Sequence, residues 1–295
     1  MAEPLFQRLV IIGIGLIGGS IARGLRARGG AAGRIVICDA NAAHLARAQE
    51  LGLGDEYIAD PAQAVRGADA VILCAPVGAF AGLGQAIGPH LKPGAILSDV
   101  GSTKQSVIRD LAPHLPAGVH FIPAHPLAGT EFSGPDAGLA DLFAGRWCLL
   151  TPPNGADEAA VERIEALWQA LGARTARMTP EHHDRVIAIV SHLPHLIAFT
   201  ICGTADDLAD ETRAEVLQFA ASGFRDFTRI AASDPVMWRD IFINNKEALL
   251  EMFQRFSEDA QSMARAVRWN DTAYIEDRIN RSRRIRKNLI DIKQA

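Results

Sequence analysis

Short apolar runs alternate with longer amphipathic stretches through the first 179 residues of the chain. A short apolar run bounded by polar residues or glycine predicts a buried strand, whereas apolar residues recurring every three or four positions predict a helix. The predicted strands are 9–12, 34–38, 68–76, 95–100, 119–122, 147–151 and 173–177. The predicted helices are 20–29, 42–51, 77–91 and 158–171, with another opened by residues 101–104. This alternation is typical of a parallel sheet with helices on both faces.

The pattern changes at Pro180, after which only helical periodicity is found. The predicted helices of this second part are 181–202, 212–228, 235–268 and 272–293. We therefore predict an α/β domain over residues 1–179 and an all-helical domain over residues 180–295.

Three glycines stand between the first predicted strand and its helix. Gly13, Gly15 and Gly18 have the spacing G-x-G-x-x-G, in which the glycines allow a tight turn, approach of a pyrophosphate and close helix packing, in that order. The next strand ends in Asp39, 21 positions after Gly18, where a carboxylate would hold the adenosine ribose hydroxyls. A turn that merely requires glycine is the alternative. The surrounding strand, helix and acidic residue favour a Rossmann-type domain that binds a dinucleotide.

The predicted cofactor site extends from this turn to the carboxyl ends of the other strands, where ligands bind in such sheets. It comprises Gly13, Gly15, Leu16, Ile17, Gly18, Asp39, Ala75, Pro76, Gly101 and Ser102. Asp39 would repel the 2′-phosphate of NADP, and residues 40–43 contain no arginine to bind that phosphate. The predicted cofactor is therefore NAD.

The composition is that of a globular protein, with 48% hydrophobic and 22% charged residues in a chain of 295. A net charge of −4 argues against nucleic-acid binding, although residues 278–287 are rich in arginine and are interpreted as a solvated helix end. The four cysteines are far apart and lie in apolar segments, as reduced core thiols do. Because no apolar run approaches the roughly 20 residues of a membrane span, we expect a cytoplasmic protein without a membrane segment.

Two polar residues follow predicted strands and are candidates for chemistry. Ser102 follows the strand 95–100, and His125 lies between two prolines in the predicted extended loop 123–131. A histidine can accept a proton near neutral pH, as the oxidation of an alcohol by hydride transfer requires. A structural loop histidine is the alternative interpretation, and spacing alone does not separate the two.

The helical half offers a second group of candidates. His192 and His195 form an H-x-x-H pair, but no glutamate or cysteine stands at ligand spacing and Pro194 disturbs the helix that would align the rings, so a metal site is not favoured. Arg229 could clamp a substrate carboxylate or simply pair with Asp226 on a helix surface. The segment 238–246 adds further polar and aromatic candidates, for which a position in the core or on a helix surface is the alternative: Trp238, Asn244, Asn245 and Lys246.

Several of these segments together resemble the prephenate and arogenate (cyclohexadienyl) dehydrogenases of tyrosine biosynthesis. The motifs that carry the resemblance, in chain order, are GIGLIGGS from Gly13, DVGSTK from Asp99, HPLAGTE from His125, SHLPH from Ser191, GFRDFTR from Gly223 and DPVMWRDI from Asp234. They extend over nearly the whole chain in the expected order.

The resemblance implies an NAD-dependent oxidative decarboxylation. Hydride would leave the ring carbon that bears the 4-hydroxyl, the hydroxyl would lose its proton, and the ring carboxylate would depart as CO₂. The resemblance implies that His125 acts on the hydroxyl, that Ser102 bonds the same region, and that Arg229 holds the substrate carboxylate. The substrate-binding residues are expected to be Arg229, His192, His195, Glu131, Thr130, Asp226, Ser222 and Trp238. Ser222 replaces a glycine found in relatives, so we expect it to affect contacts with the substrate side chain and the ratio between prephenate, ranked first, and arogenate.

Two other functions remain open at this stage. A β-hydroxyacid dehydrogenase would use a lysine, for which Lys246 is the candidate. A non-catalytic module that senses NAD would contain the same glycine turn with structural histidines.

The helical half is also predicted to form a homodimer, as the resemblance implies. It carries more apolar residues than are needed to pack one helix face against the rest of its own domain. These residues are Phe242, Ile243, Leu249, Leu250, Met252, Phe253 and Phe256.

Overall fold

A parallel sheet of six strands forms the centre of the N-terminal half. The structure, a computed structural model, describes residues 3–130, 132–208 and 210–291. The strands are β1 (Phe6–Ile12), β2 (Ala32–Cys38), β3 (Glu56–Ile58), β4 (Ala70–Leu73), β5 (Ile96–Asp99) and β6 (His120–Phe121). Their order in the sheet is β3-β2-β1-β4-β5-β6, and every pairing is parallel. This is the strand order of a dinucleotide-binding Rossmann sheet, so the predicted fold class is confirmed.

Helices cover both faces of this sheet, and the first five of them connect its strands. They are α1 (Leu16–Arg28), α2 (Ala42–Glu50), α3 (Pro61–Ala64), α4 (Phe80–Ile87), α5 (Gln105–Leu111) and α6 (Glu158–Ala170). The central strand β1 is buried on both sides, since Leu9 and Ile11 belong to one apolar core and Val10 and Ile12 to the other. Burial on both faces explains why this strand is a continuous apolar run in the sequence.

One strand of the large sheet was not predicted. β3 has the sequence EYI and each of its residues is only partly buried, so it lacks the apolar run that marks the other strands. It lies at the edge of the sheet, where pairing with β2 requires no apolar side chains on both faces.

A second, smaller sheet corrects the expectation of an extended loop around His125. It consists of β7 (Ala124–Pro126), β8 (Trp147–Leu150) and β9 (Arg174–Arg177), with β7 antiparallel to β8 and β8 parallel to β9. His125 pairs with Leu149 across this sheet. A proline cannot donate to a strand ladder, so β7, which contains Pro126, is confined to three residues at an edge, and its sequence resembles that of a loop.

The chain from Pro180 onwards is helical, as predicted, in the part that the structure describes. The helices are α7 (Pro180–Ile187), α8 (Leu193–Asp206), α9 (Asp210–Phe219), α10 (Ser222–Thr228), α11 (Pro235–Asn244), α12 (Lys246–Arg268) and α13 (Thr272–Asp291). The predicted helix 235–268 is two helices, because Asn245 leaves the helical conformation with φ −122° and ψ 32°. The residues up to Lys246 form one compact unit and those from Glu247 form another. The proposed domain division at residues 179 and 180 stays a prediction.

The stretch Pro180–Asp206 differs from the expectation that no segment is long and apolar enough to span a membrane. By length and composition alone it is apolar enough to cross a membrane, and 28% of its most apolar window is buried inside the protein. A π-helical segment, Ala188–His192, separates α7 from α8 within it. Pro194 explains this irregularity, because proline has no N–H to donate to the preceding turn.

Candidate active site

A cavity of about 790 Å³ opens at the carboxyl ends of β1, β4 and β5, where a doubly wound sheet binds its ligands. The predicted site residues that line it are Gly13, Gly15, Leu16, Ile17, Asp39, Ala75, Pro76, Gly101, Ser102, His125, Thr130 and Trp238. The structure therefore places residues of the predicted cofactor and substrate sites around one cavity.

Other predicted site residues lie away from the described lining. Ser222, Asp226 and Arg229 occupy exposed positions on α10 and on the short 3-10 helix Arg229–Ala232, which pack on α8. Their predicted contacts with substrate stay predictions. Glu131 falls outside the described residues.

The glycine turn has little room for side chains. Gly13 has a φ of +96°, and a Cβ added there would lie 2.7 Å from the carbonyl carbon and oxygen of Cys74. A Cβ at Gly18 would lie 2.0 Å from the carbonyl oxygen of Gly13, whereas one at Gly15 would meet nothing within 4 Å. Gly15 is the N-cap of α1, so the first amides of that helix point towards open space. Such amides favour an anion, and this cradle fits the diphosphate of a dinucleotide.

Asp39 lines the cavity directly after β2. Its Oδ2 accepts a hydrogen bond of 2.8 Å from the amide of Ile14, and its Oδ1 accepts one of 2.8 Å from the amide of Asn41. The carboxylate thereby ties the glycine turn to the start of α2. Arg47, the arginine on α2, pairs with Asp136 at 2.8 Å and with Glu50 at 2.7 Å. The described lining of the cavity contains neither arginine nor lysine, which favours a cofactor without a 2′-phosphate.

His125 is a buried side chain that lines the cavity from β7. Its Nδ1 lies 2.9 Å from Nε2 of His183, and Nδ1 of His183 lies 2.8 Å from Oδ1 of Asp184. Burial lowers the pKa of His125 well below 6.5, and repulsion from protonated forms of His183 and His192 and from the ammonium of Lys104 acts in the same direction. The imidazole of His125 is therefore neutral at physiological pH and able to accept a proton.

Asp184 brings the start of α7 to the start of α5. Its Oδ1 accepts from the amide of Lys104 at 2.8 Å and its Oδ2 accepts from the amide of Gln105 at 3.0 Å. Burial raises the pKa of Asp184, but the hydrogen bonds from His183 and from these two amides outweigh burial, so the pKa is lowered. Asp184 is thus a carboxylate, and it fixes the turn that carries Ser102.

A buried ion pair supports the strand that carries His125. Lys104 Nζ lies 2.5 Å from Oδ2 of Asp99 and donates to the carbonyl oxygen of Ala124 at 2.7 Å. Both charged side chains are fully buried, and Asp99 also accepts from the amide of Gly101. Burial lowers the pKa of Lys104 and raises that of Asp99, and their mutual attraction opposes both shifts. Removing either partner would leave a buried charge alone, at a cost of about 3–5 kcal/mol.

A third group of polar side chains surrounds Trp238. The His195 ring stacks on the indole of Trp238 with centroids 3.6 Å apart, and the His192 ring meets it edge-on at 6.0 Å. Asn245 Nδ2 donates to the carbonyl oxygen of Asp184 at 2.9 Å and lies 3.0 Å from His192 Nδ1. Burial lowers the pKa of His192 to about 4, so this ring is neutral. Within the described residues, His192 Nε2 and Trp238 Nε1 are buried nitrogens without a hydrogen-bond partner.

His183 and Asp184 were not predicted from the sequence, Asn245 was named only as a polar candidate of the helical half, and the buried pair between Asp99 and Lys104 was not identified. A weak signal was present, because α7 places His183 and Ile187 one turn apart on its buried face. A histidine followed by an aspartate on an inward face predicts a buried polar pair, but the sequence does not show which partner it meets 58 residues away.

Comparisons with known proteins cover both halves of the chain. Residues 21–177 match a family model described as the nucleotide-binding domain of prephenate dehydrogenase, and residues 179–280 match one described as its dimerization domain. The chain is 39% identical to a cyclohexadienyl dehydrogenase of Zymomonas mobilis over 284 residues, which is 96% of each chain.

Solved structures similar to this chain come from the same family as the sequence matches. A crystal structure of prephenate dehydrogenase from Aquifex aeolicus, in complex with hydroxyphenyl propionate and NAD⁺, matches with a TM-score of 0.89 and 32% identity, covering 96% of this chain and 98% of that one. A Synechocystis arogenate dehydrogenase matches with a TM-score of 0.80 and 25% identity over 96% of this chain and 99% of that one. These matches confirm the resemblance found in the sequence motifs. This chain belongs to the prephenate dehydrogenase family.

Proposed function

We propose that the protein oxidises and decarboxylates prephenate, and to a smaller extent arogenate, with NAD⁺ in tyrosine biosynthesis. The observation that carries the proposal is the single cavity that joins a glycine cradle for a dinucleotide to the buried neutral imidazole of His125. The cyclohexadienyl and prephenate dehydrogenases to which the chain is similar support the substrate class.

The residues of the cavity supply the acid–base chemistry. NAD⁺, when bound, accepts the hydride from the ring carbon that bears the 4-hydroxyl. His125 takes the hydroxyl proton as the hydride leaves, which converts that carbon into a carbonyl. Loss of the ring carboxylate as CO₂ then sends its electron pair into the ring, and the aromatic phenolate oxygen can take the proton back from His125. Ser102 lines the same cavity, which supports the proposal that its hydroxyl bonds the reacting oxygen.

Substrate would also satisfy donors that the protein leaves buried. A buried N–H without an acceptor is costly, and the described residues offer none to His192 Nε2 or Trp238 Nε1. Because Asn245 donates to His192 Nδ1, the proton of that neutral ring resides on Nε2. Trp238 lines the cavity, and we propose a carboxylate or carbonyl oxygen of the substrate as the acceptor for its indole N–H. Arg229 is proposed to bind a substrate carboxylate, and Thr130, His195, Asp226 and Ser222 are proposed as further substrate contacts.

The rival functions find less support. His125 lines the cavity and Lys246 is not among its described lining residues, which favours His125 over Lys246 as the base. A module that only senses NAD would have no use for a buried neutral imidazole in the wall of the cavity.

The proposal includes assembly and location. We propose a homodimer through the helical half, supported by the dimerization-domain match and by exposed apolar side chains such as Phe253, Phe256 and Leu250. A cytoplasmic location is supported by the four free cysteines. A monomeric mass by light scattering at micromolar concentration would contradict the dimer.

Turnover tests the proposed activity directly. The protein is incubated with NAD⁺ and either prephenate or arogenate, and NADH absorbance is followed. We expect NADH with prephenate at the higher kcat/KM and a lower or negligible rate with arogenate. The absence of NADH with both substrates would overturn the proposal, and a higher kcat/KM with arogenate would reverse the order of the substrates.

A further inference from the structure

The hydrogen bonds around His125 determine which of its nitrogens carries a proton. Asp184 is a carboxylate and can only accept, so Nδ1 of His183, 2.8 Å away, must be the donor. The pKa of His183 is lowered, chiefly by burial, so this ring is neutral and its Nε2 holds a lone pair. Nδ1 of His125, 2.9 Å from that lone pair, must then be the donor of the second bond.

The opposite arrangement is excluded by the same contacts. If His183 carried its proton on Nε2, its Nδ1 lone pair would face the Asp184 carboxylate at hydrogen-bond distance, and two acceptors would repel each other. A protonated Asp184 is disfavoured because both of its oxygens accept backbone amides, those of Lys104 and Gln105.

We propose that His183 and Asp184 are positioning residues that hold His125 in the tautomer with the proton on Nδ1. This leaves Nε2 of His125 as the lone pair available to the cavity. The arrangement also stabilises the imidazolium that forms when the hydroxyl proton arrives, because Nδ1–H already has its acceptor. This inference rests on the proposed reaction for its catalytic role, but the tautomer itself does not depend on any substrate.

The same residues connect the base to the cofactor side of the site. Asp184 accepts the amides at the start of α5, directly after the turn of Gly101 and Ser102, while His183 contacts His125 on β7. One helix therefore sets the positions of both a predicted hydroxyl donor and a predicted base. A change at His183 should act on kcat more than on KM, since neither His183 nor Asp184 lines the cavity in the described part of the chain.

Substitution of His183 separates positioning from packing. His183→Phe keeps an aromatic ring but removes the acceptor, and we expect kcat with prephenate to fall by about 10- to 100-fold, which is less than removal of the base itself should cost, with KM within about threefold. His183→Gln can place an amide oxygen near the former Nε2 and should recover part of the rate. The matched controls are His182→Phe and His182→Gln at the exposed neighbouring histidine, which should remain at the wild-type rate.

The pH dependence gives a second readout. The titratable groups that face His125 from the elements around it are Asp99, Lys104, Cys148, His183, Asp184 and His192. Loss of the acceptor for Nδ1–H makes the His125 cation less stable, so His183→Phe should move the acid limb of kcat/KM to lower pH. A wild-type kcat and an unmoved limb in His183→Phe would overturn the inference.

A direct measurement of the tautomer covers the case in which the variants do not fold. In wild-type protein with ¹⁵N-labelled histidine at neutral pH, long-range proton–nitrogen correlation spectra distinguish the two neutral tautomers, and the signals lost in His125→Asn identify this ring. We expect the proton on Nδ1 of His125, and a proton on Nε2 would overturn the inference. If the wild-type protein failed to oxidise prephenate while His125 showed the Nδ1–H tautomer, the proposed function would fail and the positioning contact would stand.

Discussion

The glycine cradle and the cluster of His125, His183, Asp184 and His192 meet at the same cavity, which His125 lines, but they are built in different ways. The cradle consists of backbone atoms from residues 13–18, which are close in sequence. The cluster consists of side chains from β7, α7 and the π-helical segment, and His125 meets a partner 58 residues away. The cradle binds through shape and amide dipoles, whereas the cluster acts through proton positions. Substitutions in the cluster should therefore lower kcat, whereas substitutions in the cradle should raise KM for NAD⁺.

The largest expected effect is on the cluster side. His125→Asn removes the proton acceptor but keeps a polar side chain of smaller size, so kcat should fall by about 10²- to 10⁴-fold while KM for prephenate changes little. Steady-state kinetics with NAD⁺ in excess give both parameters. A kcat within a few-fold of wild type would make His125 a structural histidine and move the search for the base to His192 and His195.

A substitution in the cradle is expected to have a smaller effect, on KM for NAD⁺ rather than on kcat. Gly18→Ala would place a Cβ 2.0 Å from the carbonyl oxygen of Gly13, so the turn must shift and KM for NAD⁺ should rise by about 10- to 100-fold. Gly82→Ala is the matched control, because Gly82 is an exposed glycine of α4 with nothing within 4 Å of the added Cβ. That control should keep wild-type kinetics. Equal KM values for NAD⁺ in both variants would contradict the role of Gly18.

These two regions also show how far the sequence could predict the molecule. The cradle and Asp39 were predicted because their spacing is local and each glycine has a steric reason. The bounds of β3 and β7 could not be predicted, since an exposed edge strand and a proline-limited strand carry no apolar run. The partners of His125 could not be predicted either, because a contact between a small sheet and a distant helix leaves no spacing in the chain.

Arg229 tests whether the substrate side of the cavity extends beyond its described lining. If its guanidinium binds a substrate carboxylate, Arg229→Ala should raise KM for prephenate by about 10- to 100-fold, because a charge-assisted hydrogen bond contributes about 1.5–3 kcal/mol. Arg225→Ala removes an exposed guanidinium from the same region and should leave KM unchanged. Equal KM values for prephenate in Arg229→Ala and Arg225→Ala would contradict a role of Arg229 in substrate binding.

The smallest expected effect concerns cofactor choice. The wild-type protein should have a higher kcat/KM with NAD⁺ than with NADP⁺, since Asp39 would repel a 2′-phosphate and the described lining has no cation to bind one. Asp39→Ala should lower the ratio of kcat/KM with NAD⁺ to kcat/KM with NADP⁺ by about tenfold. Part of the weaker NAD⁺ binding would arise because the amides of Ile14 and Asn41 lose their acceptor. An equal or better kcat/KM with NADP⁺ in the wild type would refute the assignment of NAD.

The pH profile of kcat/KM for prephenate tests the central claim, that a buried neutral His125 is the base, most directly. Activity requires the neutral imidazole, and burial lowers its pKa well below 6.5, so the rate should hold as pH falls through 6.5 and decline only well below it. The low-pH decline should be present in the wild type and absent from the residual activity of His125→Asn. An acid limb at or above pH 6.5 in the wild type, or one that survives in His125→Asn, would contradict the claim.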